Sequence, residues 1–152
     1  MCVACEPAFV LHARPWRETS AIVELLTRSH GRVGVVARGI SAPKKQPLRA
    51  ALQPMQSLRV DYVQRGELAR LAGAEAVDNA PVLAGERLMA ALYVNELLLR
   101  LTPRNDPAPA LFDLYARVRG ELGGAPSLSW ALRRFERDLL DALGVGLHWD
   151  ST

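Results

Sequence analysis

The sequence predicts an α+β chain in two parts, a five-stranded β barrel followed by a domain of three helices, and three observations carry that prediction. Short apolar runs separated by turn residues fill the first 80 positions. From Asn79-Ala-Pro81 onward the apolar spacing changes from the strand period to the helical one. With 49% hydrophobic and 23% charged residues in 152 positions, the chain can bury a core, which excludes intrinsic disorder. The change of period divides the chain into residues 1–80 and 81–152.

The first strands are expected at Ala8–Ala13, Ala21–Thr27 and Arg32–Ala37. Ser29-His-Gly31 makes a tight turn between the second and third, because glycine takes positive φ without a steric cost. Ser41-Ala-Pro-Lys-Lys-Gln-Pro47 reads as an exposed loop leading to a short helix at Leu48–Leu52, ended by Pro54. Leu58, Val60 and Tyr62 alternate with Arg59 and Asp61, the pattern of a half-buried strand, and Gln64-Arg-Gly66 turns the chain into a fifth strand at Leu68–Val77. Five strands of this length suit a small closed or partly closed barrel.

In the second part, Leu88–Leu101 leaves only a narrow polar stripe and is expected to be a largely buried helix. Asp106-Pro107 resembles a helix start, with Leu111, Leu114, Tyr115, Val118 and Leu122 on one face and Gly123-Gly124 as the stop. Ser127 caps a third helix carrying Leu128, Leu132, Phe135, Leu139 and Leu143, ended by Gly144. Three such helices rarely build a core alone, so they are expected to pack on the barrel or on something missing. The last residues, His148-Trp-Asp-Ser-Thr152, leave Trp149 without an element to pack in, as in a helical domain that stops short.

No apolar run approaches the roughly 20 residues of a membrane span, and the first residues lack a basic leader, so a cytoplasmic protein without membrane contact is expected. Cys2-x-x-Cys5 is half of a four-ligand zinc set, and His12, His30 and His148 have no ligand spacing to it. A reduced, frayed N-terminus without metal is the expectation. Phosphate-binding loops, dinucleotide fingerprints, nucleophile elbows and metalloprotease pairs are absent from the sequence, which argues against an enzyme.

Charge distribution says more than the net +3. Residues 1–80 carry eleven Lys/Arg against seven Asp/Glu, whereas residues 81–152 carry eight against nine. Between Glu24 and Asp61 lie Arg28, Arg32, Arg38, Lys44, Lys45, Arg49 and Arg59 with no acid at all. Beside them, Arg14-Pro-Trp-Arg-Glu-Thr19 reads as a loop joining the first two strands, and its guanidinium groups and indole (Arg14, Trp16, Arg17) suit single-stranded nucleic acid, cations tracking phosphates while an aromatic stacks a base. The competing reading has Trp16 plugging the barrel end and Arg14 and Arg17 pairing with Glu18 or Glu24. On the third helix, Trp130, Arg133 and Arg137 fall opposite the apolar face, an arrangement for an acidic, aromatic peptide. There the competing reading packs Trp130 against the barrel or a missing domain and pairs Arg134 with Asp138.

Taken in order, Ala8-Phe-Val-Leu-His-Ala-Arg-Pro-Trp16, Glu18-Thr-Ser20, Gly31-Arg-Val33, Val36-Ala-Arg-Gly39, Leu52-Gln-Pro54, Ala74-Glu-Ala-Val77, Tyr93-Val-Asn-Glu-Leu97 and Ala131-Leu-Arg-Arg-Phe-Glu136 resemble the bacterial RecO recombination-mediator family through nearly the whole chain. The resemblance implies that the barrel is an OB-fold and that residues 81–152 are an incomplete helical domain, since family chains usually run several dozen residues further. Some members carry a four-cysteine zinc site there, to which Cys2 and Cys5 do not correspond. It implies a non-enzymatic, cofactor-free DNA-repair role at the nucleoid: binding single- and double-stranded DNA, annealing complementary strands, and acting with RecR to load RecA onto strands coated by single-stranded-DNA-binding protein. The acidic, aromatic-ended tail of that coating protein is expected on the helical part. Arg133 and Arg134 match the family's paired arginines, Arg133 being the expected carboxylate partner, Arg137 its support, and Tyr93 and Leu97 an apolar pocket. The alternative is an OB-fold adaptor or RNA-binding module that contacts protein or structured RNA and anneals nothing.

Overall fold

The computed structural model describes residues 1–144; His148 and Trp149 lie outside them. Five strands, β1 (Cys2–Trp16), β2 (Ser20–Thr27), β3 (Gly31–Ala37), β4 (Ser57–Arg65) and β5 (Leu68–Ala76), close into a barrel in the order β1-β2-β3-β5-β4. Every neighbour is antiparallel except β3 and β5, which run parallel. A 3-10 turn (Pro43–Lys45) and the short α1 (Gln46–Ala51) connect β3 to β4, and α2 (Glu86–Leu101), α3 (Pro109–Gly124) and α4 (Leu128–Ala142) follow.

The first strand is far longer than its apolar run predicts, because it serves two neighbours. Its beginning pairs with β4, Cys2 opposite Val63 and Val3 opposite Tyr62, and its end pairs with β2. An irregularity between Val3 and Glu6, where Cys5 has φ 52°, kinks the strand within its pairing to β4, which continues to Phe9, and pairing with β2 begins at Ala8. The expectation of a frayed N-terminus is therefore corrected: Cys2–Glu6 is barrel strand, with both thiols free on its exposed face. Likewise Arg14 and Trp16 are strand residues, opposite Ile22 and Ser20, and only Arg17–Thr19 form the hairpin turn.

Two apolar cores meet at the barrel wall. Inside, Val10, Val23, Leu25, Val33, Val35, Leu58 and Val60 are fully enclosed, and Ile40 and Leu52 close one end. Outside, Phe9, Leu11 and Leu26 join Val94 and Leu98 of α2, Phe112, Tyr115 and Leu122 of α3, and Phe135 and Leu139 of α4. The Phe9 ring lies 4.9 Å from those of both Phe112 and Tyr115. This shared core explains why β2 is apolar on both faces, and why three helices suffice: each fully buried Leu or Phe contributes about 1.5–3 kcal/mol against a surface the barrel supplies.

The helix boundaries differ from expectation in ways packing explains. The α3 helix starts at Pro109, not at Asp106-Pro107, because residues 104–107 turn, with Asn105 at φ 63°, against the β2–β3 turn. There Gly31, with φ 72°, passes so close to Asp106 that a Cβ would lie 2.0 Å from its carbonyl oxygen, and Asn105 N–H donates to Arg32 O at 2.7 Å. Gly123 and Gly124 lie within the last turn of α3. Ser127 caps α4 as expected, its Oγ accepting from Trp130 N–H at 3.2 Å. The α2 helix, expected to be largely buried, buries one face only: Ala91, Val94 and Leu98 point inward while Leu88, Met89, Leu92 and Tyr93 stay exposed. No described helix is long and apolar enough to cross a membrane.

Candidate nucleic-acid interface

Strand register decides which side chains leave the barrel. Val35 and Ala69 face each other inside it, so their neighbours Val36 and Arg70, themselves opposite each other, lie on the outer wall. On β4, Val63 lies opposite Arg70 and Arg65 opposite Leu68, which continues that wall. The outcome is an outward groove of about 440 Å3 across β3, β5 and β4, lined by Val36, Arg38, Val63, Arg65, Leu68 and Arg70, with Trp16 reaching in from the β1–β2 hairpin. The β1–β2 hairpin turn and the Gly66-Glu67 turn between β4 and β5 flank it, the two loops that OB barrels commonly offer to oligonucleotides, although the groove is centred on β5 rather than on β2 and β3.

Chemically the groove combines cations with an aromatic. Arg38, Arg65 and Arg70 are exposed and form no ion pair among the described residues. Trp16 is half-buried, and the Arg17 guanidinium stacks 4.2 Å from its ring centroid. Neither Arg14 nor Arg17 pairs with Glu18 or Glu24 among the described residues, so the neutralised-loop reading fails for both.

The other expected cations separate. Arg32 is withdrawn from the surface: its guanidinium bonds to Glu24 Oε1 at 2.7 Å and to the Thr102 carbonyl at 2.7 and 3.1 Å, which ties α2 to the barrel. A cation with 13% of its side chain exposed and its charge matched is no phosphate ligand, and sequence distance from any acid concealed this because Glu24 arrives from the neighbouring strand. Arg49 donates from Nη1 to the carbonyls of Ile40 and Ala42, both at 2.7 Å, and with Arg14 borders a different concavity, on the inner side of the hairpin. Lys44 and Lys45 sit on the 3-10 turn, outside the groove. Conversely, Arg65 and Arg70 escaped the sequence reading; they lie on the two strands of the β4–β5 hairpin, Arg65 opposite Leu68 and Arg70 opposite Val63, and the outer wall of the barrel brings them together.

On the helical part, Trp130, Arg133, Arg134 and Arg137 line one concavity on α4. Trp130 is 54% exposed rather than packed inward, and the Arg134 guanidinium lies 5.1 Å from its ring. Arg134 also pairs with Glu121 at 3.5 Å and with Asp138 at 3.9 Å, and Arg137 with Asp138 at 3.5 Å. Arg133 is exposed and makes no ion pair among the described residues. Tyr93 and Leu97 do not line that concavity. The Tyr93 hydroxyl donates instead to Glu136, a bond that holds its proton above the ordinary tyrosine range, so the aromatic wall beside Arg133 is Trp130.

Comparison with known proteins places this two-part architecture. The family models described as Recombination protein O N terminal and Recombination protein O C terminal match residues 1–80 and 83–152. The DNA repair protein RecO of Xanthomonas campestris pv. campestris is 58% identical over 146 residues, 96% of this chain and 61% of that protein. Those of Stenotrophomonas maltophilia and Xylella fastidiosa are 54% and 55% identical, over 99% and 97% of this chain and 63% and 61% of theirs. The chain thus spans about three fifths of the length of the curated relatives it matches. Barrel and helices alike fall under the two halves of one family description, and the chain belongs to the RecO family.

Proposed function

We propose that this chain is the DNA-binding part of a recombination mediator in DNA repair, acting by binding alone and without a catalytic step. The observation that carries the reading is the outer groove, where Trp16 meets Arg38, Arg65 and Arg70 with no carboxylate neutralising them among the described residues. Cations at this spacing suit a phosphate backbone, and one indole suits a stacked base, which contributes about 1–3 kcal/mol. The groove makes no base-specific demand, as a protein that anneals any complementary strands requires. In the fuller role, the chain works with RecR to load RecA onto strands coated by single-stranded-DNA-binding protein at the bacterial nucleoid. The Trp130–Arg133 concavity receives the acidic tail of the coating protein, Arg133 taking a carboxylate. Fluorescence anisotropy with labelled oligonucleotides at two salt concentrations tests the DNA reading. Micromolar or tighter binding that weakens steeply with salt supports it, and no binding at low salt overturns it.

A further inference from the structure

The β1–β2 hairpin has a second side. Beneath its inner face lies a concavity of about 260 Å3, between the hairpin, the segment after β3 and α1. Its floor is apolar, made by Ala21, Ile40 and Leu52, and its rim carries Arg14, Arg49 and Ser41. Two contacts fix its shape in advance: Ser41 N–H donates to the Thr19 carbonyl at 3.2 Å, joining the post-β3 segment to the hairpin tip, and Arg49 Nη1 bonds to the Ile40 and Ala42 carbonyls, joining α1 to that segment. Those bonds use one nitrogen of a guanidinium that has five N–H donors, leaving Nε and Nη2 without a partner among the described residues. Arg14 forms no ion pair among the described residues either.

A preformed apolar slot with uncompensated guanidinium groups at its mouth calls for a flat apolar ring bearing an anion. Its volume falls just under the range of about 300–1,000 Å3 usual for small-molecule sites, room for one ring system rather than two. The β1–β2 hairpin contributes to both concavities, Arg14 and Ala21 to this one and Trp16 to the outer groove. We propose that this inner pocket receives a single unstacked nucleotide, its base against Ala21, Ile40 and Leu52 and its phosphate on Arg14 and Arg49. The inference rests on the DNA-binding reading above and adds to it a place where one base leaves the stack. Holding one base there interrupts the stacking of the bound strand at that position, at an unstacking cost that is lowest for single strands.

A free mononucleotide and a nucleotide within a strand share this chemistry, and one experiment separates them. An oligonucleotide carrying 2-aminopurine is titrated with the full chain, following fluorescence and anisotropy together. A base stacked on Trp16 is quenched, whereas a base moved into an aliphatic pocket brightens, so brightening is the expected result. Ala21→Leu, which adds bulk to a residue lining the pocket, should abolish the brightening while anisotropy still reports strand binding. If Ala21→Leu fails to fold, Ser41→Leu on the exposed rim makes the same test. Brightening that survives either folded variant, or strand binding by the unaltered protein without brightening, overturns the pocket and leaves the groove intact. Absence of any anisotropy change overturns the groove itself. The free 2-aminopurine nucleotide run in parallel identifies the source: saturable binding blocked by Ala21→Leu makes the pocket a mononucleotide site, and binding only within a strand makes it a subsite of the DNA path.

Discussion

The Arg104 guanidinium, from the connection between α2 and α3, sits on the Glu24 carboxylate of β2. Arg32 reaches the same carboxylate from β3 and Arg104 extends to Glu67, so one buried acid holds the helical part against the barrel. Hydrogen bonding to Glu24 raises the Arg104 pKa, which keeps this guanidinium charged.

Removing the acid leaves two partly buried cations facing each other. Breaking a buried pair typically costs about 3–5 kcal/mol, so Glu24→Gln should destabilise the chain by about 3 kcal/mol in a denaturant titration. Arg32→Ala should lower the melting temperature yet leave the salt dependence of DNA binding unchanged. A loss below about 1 kcal/mol for Glu24→Gln would mean that the tie is no stronger than a surface ion pair.

Tyr62 is fully buried, and its hydroxyl has no hydrogen-bond partner among the described residues. Burial, with the Glu6 carboxylate adding to it, pushes its pKa up to about 12 from 10.0. The folded state therefore holds this proton more tightly than the unfolded one. The stability linked to it is complete below pH 10 and is lost as pH rises towards 12. Burial acts in the same direction on Tyr115. Tyrosinate absorbance should rise together with loss of helical circular dichroism rather than ahead of it. Tyr62→Phe, which removes an unpaired hydroxyl, should raise stability by about 1 kcal/mol, and a comparable loss would show that the hydroxyl is satisfied.

Arg133→Ala should cut affinity for a synthetic peptide with an acidic, aromatic-ended C-terminus tenfold or more, the cost of about 2–5 kcal/mol usual when one side of an interfacial charge pair is truncated. Calorimetry measures it, with DNA binding as the unaffected control. Equal peptide binding by both proteins would make Arg133 an ordinary solvated charge.

Trp16→Ala should lower affinity for single-stranded DNA by about 1–3 kcal/mol with no change in the salt slope, because stacking releases no counterions. A drop of several degrees in melting temperature with unchanged affinity would instead identify the indole as part of the fold.

The fold was legible where periodicity and turn chemistry agree. Alternation through Leu58, Val60 and Tyr62, Gly31 at positive φ and the Ser127 cap all mark real features. What was not legible depends on partners distant in sequence. Cys2–Glu6 carries no strand signal of its own and is a strand because β4 offers it an edge. The exposed stripe of α2 cannot be told from a buried one by composition, since Leu88 is exposed and Leu98 buried although both are leucine. The basic stretch gave the sign of the surface but not its members: Arg32 is bound by an acid on the adjacent strand, while Arg65 and Arg70 meet Arg38 only after the barrel closes.

The most direct test of the outer groove as the DNA path is the salt dependence of single-strand binding by the Arg38→Ala, Arg65→Ala, Arg70→Ala triple variant, measured by anisotropy across a salt series. Each lost phosphate contact lowers the slope of log K against log salt by about 0.7, so the slope should flatten by about 2, and affinity at low salt should fall by an order of magnitude or more. A folded triple variant with the slope and affinity of the unaltered chain would contradict the account and move the DNA path off this face of the barrel.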